Sequence, residues 1–196
     1  MGNGSKPDAG VTSMSMVCPY SQPSGGPFKS TTWASFAPGE LRLKDPTTRV
    51  IAASGGDDNV ASNFMTLIPA CTQQQKTEEP GIAQYDFPVS TGAGYTLGGS
   101  ATVIADVSVA NGGESQIATR LLEITPTGQQ RLIARGVYRP ETSGTQVIQL
   151  NANVYHFAPG TQMRIQLLPR DGSQGLPQLS SFRPSNDQQD VTISNV

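Results

Sequence analysis

Residues 100–138 read SATVIADVSVANGGESQIATRLLEITPTGQQRLIARGVY. Apolar and polar residues alternate here with period 2, the spacing of a strand with one buried face. Val103, Ala105, Val107 and Val109 share one face of a first strand. Asn111-Gly112-Gly113 is a turn. Residues 117–124 are a second strand, with Ala118, Leu122 and Ile124 on the face that also carries Arg120. Pro126-Thr127-Gly128 reverses the chain into a third, residues 131–138, where Leu132, Ala134 and Tyr138 oppose Ile133 and Val137. The pattern continues over 147–150, 162–168 and 191–193. Short strands bounded by Gly, Pro and Asn clusters, with no helices between them, predict an all-β fold, a β-sandwich or jelly roll.

Upstream the signal weakens. Residues 40–43 alternate briefly and read as a short strand, and 49–53 as another, stopped by Gly55-Gly56. Residues 60–68 read as one helical turn or a loop, and 73–81 as a polar loop. Residues 1–27 are dense in Gly, Ser, Pro and Asn without a periodic apolar face, so they read as a flexible arm. Residues 28–196 are then one sandwich domain, a size at which all-β folds stay single.

Composition excludes several classes. Charged residues are 14% of the 196, against about 25% in typical soluble proteins. The net charge of −2 offers no basic field for nucleic acid. No apolar run is long enough for a membrane helix, and residues 1–27 lack the charged and apolar regions of a signal peptide. Cys18 and Cys71 stand in no CxxC and near no His, so they do not suggest a metal site. Both lie in loop-like surroundings and are read as a disulfide, with unrelated thiols as the alternative. A disulfide implies an oxidising compartment, secreted or periplasmic, with the cytoplasm as the alternative if the thiols are unrelated.

Catalytic chemistry is sparse. His156 is the one histidine, and a Ser-His-Asp site needs it as base. Ser54, Asp106 and His156 run in the hydrolase chain order, but the nucleophile elbow needs a strand-to-helix turn in a parallel sheet, which this pattern lacks. No residue is therefore assigned a catalytic, cofactor or metal role. Asp57-Asp58-Asn59 offers clustered oxygens for a hard cation without the spaced acidic loop of an EF-hand, and reads as a solvated turn. Gly92, Gly94, Gly98 and Gly99 precede a strand, not a helix, so they read as turn glycines. Trp33, Tyr85, Tyr95, Tyr138, Tyr155 and Phe182 are the aromatics available to a sugar platform, with core packing as the default. Arg120 and Arg135, within apolar strands, are expected to pair with carboxylates or loop carbonyls. The candidates for ligand binding are Trp33, Asp57, Asp58, Arg120 and Arg135.

Residues 95–171 resemble a known family. TLGGSATVIADV (96–107), ATRLLEITPTGQQRLIARGVYRP (118–140) and NVYHFAPGTQMRIQLLPRD (153–171) are similar to the C-terminal, non-catalytic domain of X-Pro dipeptidyl-peptidases and cocaine-esterase-like (CocE/NonD) serine hydrolases. The matching positions are Arg120, Leu121, Ile124, Pro126, Gly128, Gly136 and Arg139, then Phe157, Pro159, Gly160, Arg164 and Ile165. Residues 81–88, and Trp33 with Pro38-Gly39-Glu40-Leu41, match more loosely. The family's histidine after Pro-Gly is Thr161 here, and its later aromatic region is a Gly/Gln-rich loop. The resemblance implies a jelly-roll β-sandwich of the galactose-binding-like type, without catalytic residues, packed on an α/β-hydrolase catalytic domain and bordering its substrate pocket. The alternatives are a lectin-like carbohydrate-binding module and a structural jelly-roll subunit.

Overall fold

The computed structural model describes residues 9–16, 25–64, 72–110, 115–172 and 189–196. They form the expected all-β sandwich. One sheet has five antiparallel strands: β4 (Gln73–Gln75), β5 (Ala83–Val89), β8 (Ile117–Ile124), β9 (Gln129–Tyr138) and β12 (Gln162–Leu168), in spatial order β4-β9-β8-β12-β5. The other has four: β3 (Arg49–Ile51), β7 (Thr102–Val109), β10 (Gly144–Gln149) and β13 (Val191–Ser194), in order β10-β7-β13-β3. Short ladders join β1 (Val11–Ser13) to β2 (Phe28–Ser30), and β6 (Tyr95–Gly99) to β11 (Asn153–Phe157). The helix α1 (Asp58–Asn63) is capped by Asp57, whose carboxylate accepts from Asn59 N.

Alternation along β7 places the core. Val103, Ala105 and Val107 are buried, while Ile104 and Ser108 point out. The buried set meets Leu121, Ile165, Leu167 and Tyr85 from the facing sheet in one cluster. Each buried Val, Leu or Ile among them contributes about 1.5–3 kcal/mol relative to exposure. All eight positions of β8 are buried, because its second face is also covered. There Leu122 and Ile124 pack under Val60 and Phe64 from α1 and its C-cap.

The strict alternation read along residues 131–138 is corrected by a bulge. Leu121 pairs with Ala134 but Leu122 pairs with Leu132, so Ile133 is the extra residue. Ile133 and Ala134 then both reach the main core, while Leu132 packs under α1. A bulge bends the strand and shifts the phase of every side chain beyond it. Gly136, further along β9, sits where a Cβ would lie 2.8 Å from Thr119 Oγ1 and 3.0 Å from the Gln149 carbonyl oxygen.

Other expectations also change. Residues 40–43 form no strand: they belong to an irregular strap, and Leu41 is 45% exposed. Local alternation is half of what a strand needs, and no described strand edge pairs with these residues. Gln73–Gln75, read as loop, is a strand at the edge of β9, where polar side chains are tolerated. Helix α1 ends before the whole of 60–68 is used. Part of the arm is held rather than free: β1 pairs with β2, and Met16 N donates to the Val154 carbonyl oxygen. Cys18, Cys71, Phe182 and the turn at 111–113 lie outside the described residues.

Candidate functional site

The residues of the hydrolase-order triad have other partners. Ser54 is exposed in the turn closed by Gly55 N and the Ala52 carbonyl oxygen. Asp106, on β7, accepts from Thr145 Oγ1 at 2.7 Å and Asn195 Nδ2 at 2.8 Å. His156, exposed on β11, meets Thr96 Oγ1 through Nδ1 at 3.1 Å. None of these contacts joins Ser54 to His156 or His156 to Asp106.

Four of the five ligand-binding candidates converge on the outer face of the five-stranded sheet. Arg120, 1% exposed, directs Nη1 to Glu79 Oε1 at 2.6 Å, and Nε and Nη2 to Asp171 Oδ1 at 2.8 and 2.6 Å. Arg135 Nε lies 3.1 Å from Asp171 Oδ2. Asp57 N donates to Glu79 Oε2, and Asp58 pairs with Arg170 at 3.0 Å. Of the two kinds of partner expected for these arginines, carboxylates or loop carbonyls, the structure supplies carboxylates to both. Burial pushes the Glu79 carboxyl above its ordinary value, against the attraction of Arg120. Burial, and then the charge of Arg120, leaves Arg135 below its ordinary value. Burial would lower Arg120 as well, but Asp171 and Glu79 more than offset it and raise it. Two cations and two carboxylates thus neutralise one another inside the protein and fasten residues 79 and 171 to the sheet. Arg164, from the resemblance motif, does the same with Asp86 on β5, its Nη2 2.8 Å from Oδ2.

Trp33 stands apart. It is 67% exposed and stacks on Phe36, with ring centroids 5.7 Å apart and planes 16° off parallel. The Phe36 ring in turn lies against Gly98 of β6, so close that a Cβ there would be 2.9 Å from it.

Among the described residues, open space lies under the strap, residues 40–46. A groove of about 700 Å³ runs between it and β7; Leu41, Leu43, Ile104 and Val196 form its walls, over the buried core residues Tyr85, Phe87 and Ile165. A second, of about 370 Å³, begins at the same Glu40 and Leu41 and continues past Phe36, Tyr95 and Gly98. The strap is tied at one end. Asp45 and Val196 exchange both main-chain bonds, and the Asp45 carboxylate accepts from Thr47 N and Arg49 Nη2. That Arg49 contact, with Thr47, holds the Asp45 carboxyl down to about 2. Burial pushes the Tyr85 hydroxyl up to about 12. Sequence reading missed this groove, although Ile104 is an apolar residue at an outward position of a cleanly alternating strand. Among the described residues no group of three or more His, Cys, Asp and Glu could hold a metal ion, and no helix is long and apolar enough to cross a membrane.

No protein-family model and no curated protein matches the chain. Solved structures do. An α-amino-acid ester hydrolase matches over 82% of this chain and 32% of its own, at 14% identity and a TM-score of 0.51. A CocE/NonD family hydrolase from Staphylococcus aureus matches over 79% and 32%, at 9% identity and a TM-score of 0.50. The sandwich therefore has the fold of one part of CocE/NonD-type hydrolases. The chain spans about a third of the length of these hydrolases.

Proposed function

We propose that this sandwich is an accessory, non-catalytic domain of the CocE/NonD and X-Pro dipeptidyl-peptidase type, a jelly roll that packs on an α/β-hydrolase domain and borders its substrate pocket. The observation that carries the reading is the coverage: about four fifths of this chain matches, against 32% of each hydrolase. The motif positions of the resemblance support it by being structural. Arg120 and Arg164 are buried in ion pairs, and Gly128 and Gly160 take φ of +76° and +84° in turns. The outer face of the four-stranded sheet suits packing, since Ile104 and Val147 are paired neighbours there and both exposed. The activity of the whole hydrolase, on amino-acid esters or on peptides that begin X-Pro, would belong to the partner domain.

The test begins with the purified chain, given amino-acid p-nitrophenyl esters and a fluorophosphonate probe. No turnover and no labelling are expected; robust turnover that Ser54→Ala removes would overturn the reading. An α/β-hydrolase domain from the same genome, mixed with the chain, is expected to co-elute with it, and Val147→Arg to weaken that complex.

A carbohydrate-binding module is the second reading, favoured by the exposed Trp33 stacked on Phe36. Glycan-array binding lost in Trp33→Ala would support it over the first.

A further inference from the structure

The sheet that carries β7 has an open ladder under the strap. β13 pairs with β7 from Val109 back to Asp106, opposite Val191 to Ser194, and stops there. β7 continues through residues 102–105, still paired with β10 on its other side. In an antiparallel sheet each residue sends its N–H and C=O to one side, alternately toward one neighbour and the other. The Ala101 carbonyl oxygen accepts from Leu150 N on the β10 side. Val109 N and O both bond Ser143 Oγ on that side. Odd-numbered residues of β7 therefore face β10. Thr102 and Ile104 send their main-chain groups the opposite way, into the groove, where no described backbone group meets them. Beyond Ser194 the chain turns off through Asn195, at φ +51°, and Val196 pairs with Asp45 instead.

The groove between that edge and the strap has a volume of about 700 Å³, within the usual range for ligand sites. The strap flanks it for residues 40–46, about 20 Å of extended chain, the length of an ordinary strand. The rim exposes Leu41 and Ile104. Glu40 pairs with Arg42 and Asp45 with Arg49, whereas Lys44 has no ion pair among the described residues.

We propose that this groove binds an extended peptide of a partner chain, added as a strand beside Thr102 and Ile104. Its alternate apolar side chains pack between Leu41 and Leu43 of the strap and Ile104 of β7, and a carboxylate reaches Lys44. The ladder selects this occupant. Unpaired N–H and C=O groups at strand spacing are satisfied by another main chain, the mode of β-strand addition. An acyl chain offers the same walls its methylenes but leaves the ladder open. The inference rests on β7 and the strap, and stands whether or not the partner is a hydrolase.

The experiment uses the full chain and a capped hexapeptide alternating valine and threonine, with a terminal aspartate. A second peptide carries N-methyl groups on alternate residues, and decanoate is the apolar competitor. Amide exchange at Thr102 and Ile104 is expected to slow by about tenfold or more with the first peptide and not with the methylated one. Lys44→Glu is expected to weaken binding severalfold. Ile104→Pro deletes one groove-facing donor without touching the bonds to β10, and is expected to abolish binding. The proposal fails if the methylated peptide binds equally, if exchange is unchanged at millimolar peptide, or if decanoate alone occupies the groove. Should Ile104→Pro not fold, the two peptides decide the matter.

Discussion

Arg120 shows how a single residue is committed by its surroundings. Its guanidinium is enclosed with Glu79 and Asp171, so deleting it leaves Glu79 buried without a cation and Asp171 without its closest one. Arg120→Ala is expected to cost about 3–5 kcal/mol, measured by urea denaturation. Its pH dependence is equally specific. Glu79 titrates above its ordinary value when folded, so its contribution is full below the unfolded pKa and declines as pH rises through the folded one. Removing Arg120 removes the main opposing attraction, and the variant is expected to lose more stability with rising pH than the parent. Adding Glu79→Gln is expected to flatten that slope. Asp45 behaves in the opposite sense. Folded, it keeps its charge down to about 2, against an ordinary 3.8. Its contribution is therefore full above the ordinary value and lost as pH falls toward 2. Thermal melts across this window are expected to drop more steeply for the parent than for Asp45→Asn.

At the scale of elements, β8 and α1 depend on one another. A strand buried on both faces is stable only if something covers the second face, and α1 with Phe64 supplies that cover. Leu122→Ala opens a cavity beneath it and is expected to cost about 2–5 kcal/mol. The Asp57 cap contributes about 1 kcal/mol by the usual rule, and Asp57→Ala is expected to loosen the helix and its contact with Glu79 together. Hydrogen exchange along β8 distinguishes the two: it should rise strongly in Leu122→Ala, and less in Asp57→Ala, where the largest increase falls in α1.

At the scale of the whole molecule, the outer face of the four-stranded sheet and the groove beside it are left uncovered by the described residues. Val147 is 55% exposed and touches no core cluster, so Val147→Arg is expected to change stability by less than about 0.5 kcal/mol. Any larger effect on a complex with a hydrolase domain then reports the interface and not the fold.

The period-2 alternation from Val103 to Val109, and again in Met163, Ile165 and Leu167, determined by itself that this chain is an all-β sandwich, because each of these sets lines the face that its strand turns to the common core. The Gly and Pro positions that end those strands were legible for the same local reason. The Arg120 pairing was legible in kind but not in partner, since Glu79 and Asp171 lie 41 and 51 residues away. Tertiary structure alone decided where β7 loses its neighbour, that residues 40–43 become a strap and not a strand, and that Ile133 bulges. Each of these depends on which backbone edge lies within hydrogen-bonding distance. That is a property of chains brought together from far apart, and no local pattern carries it.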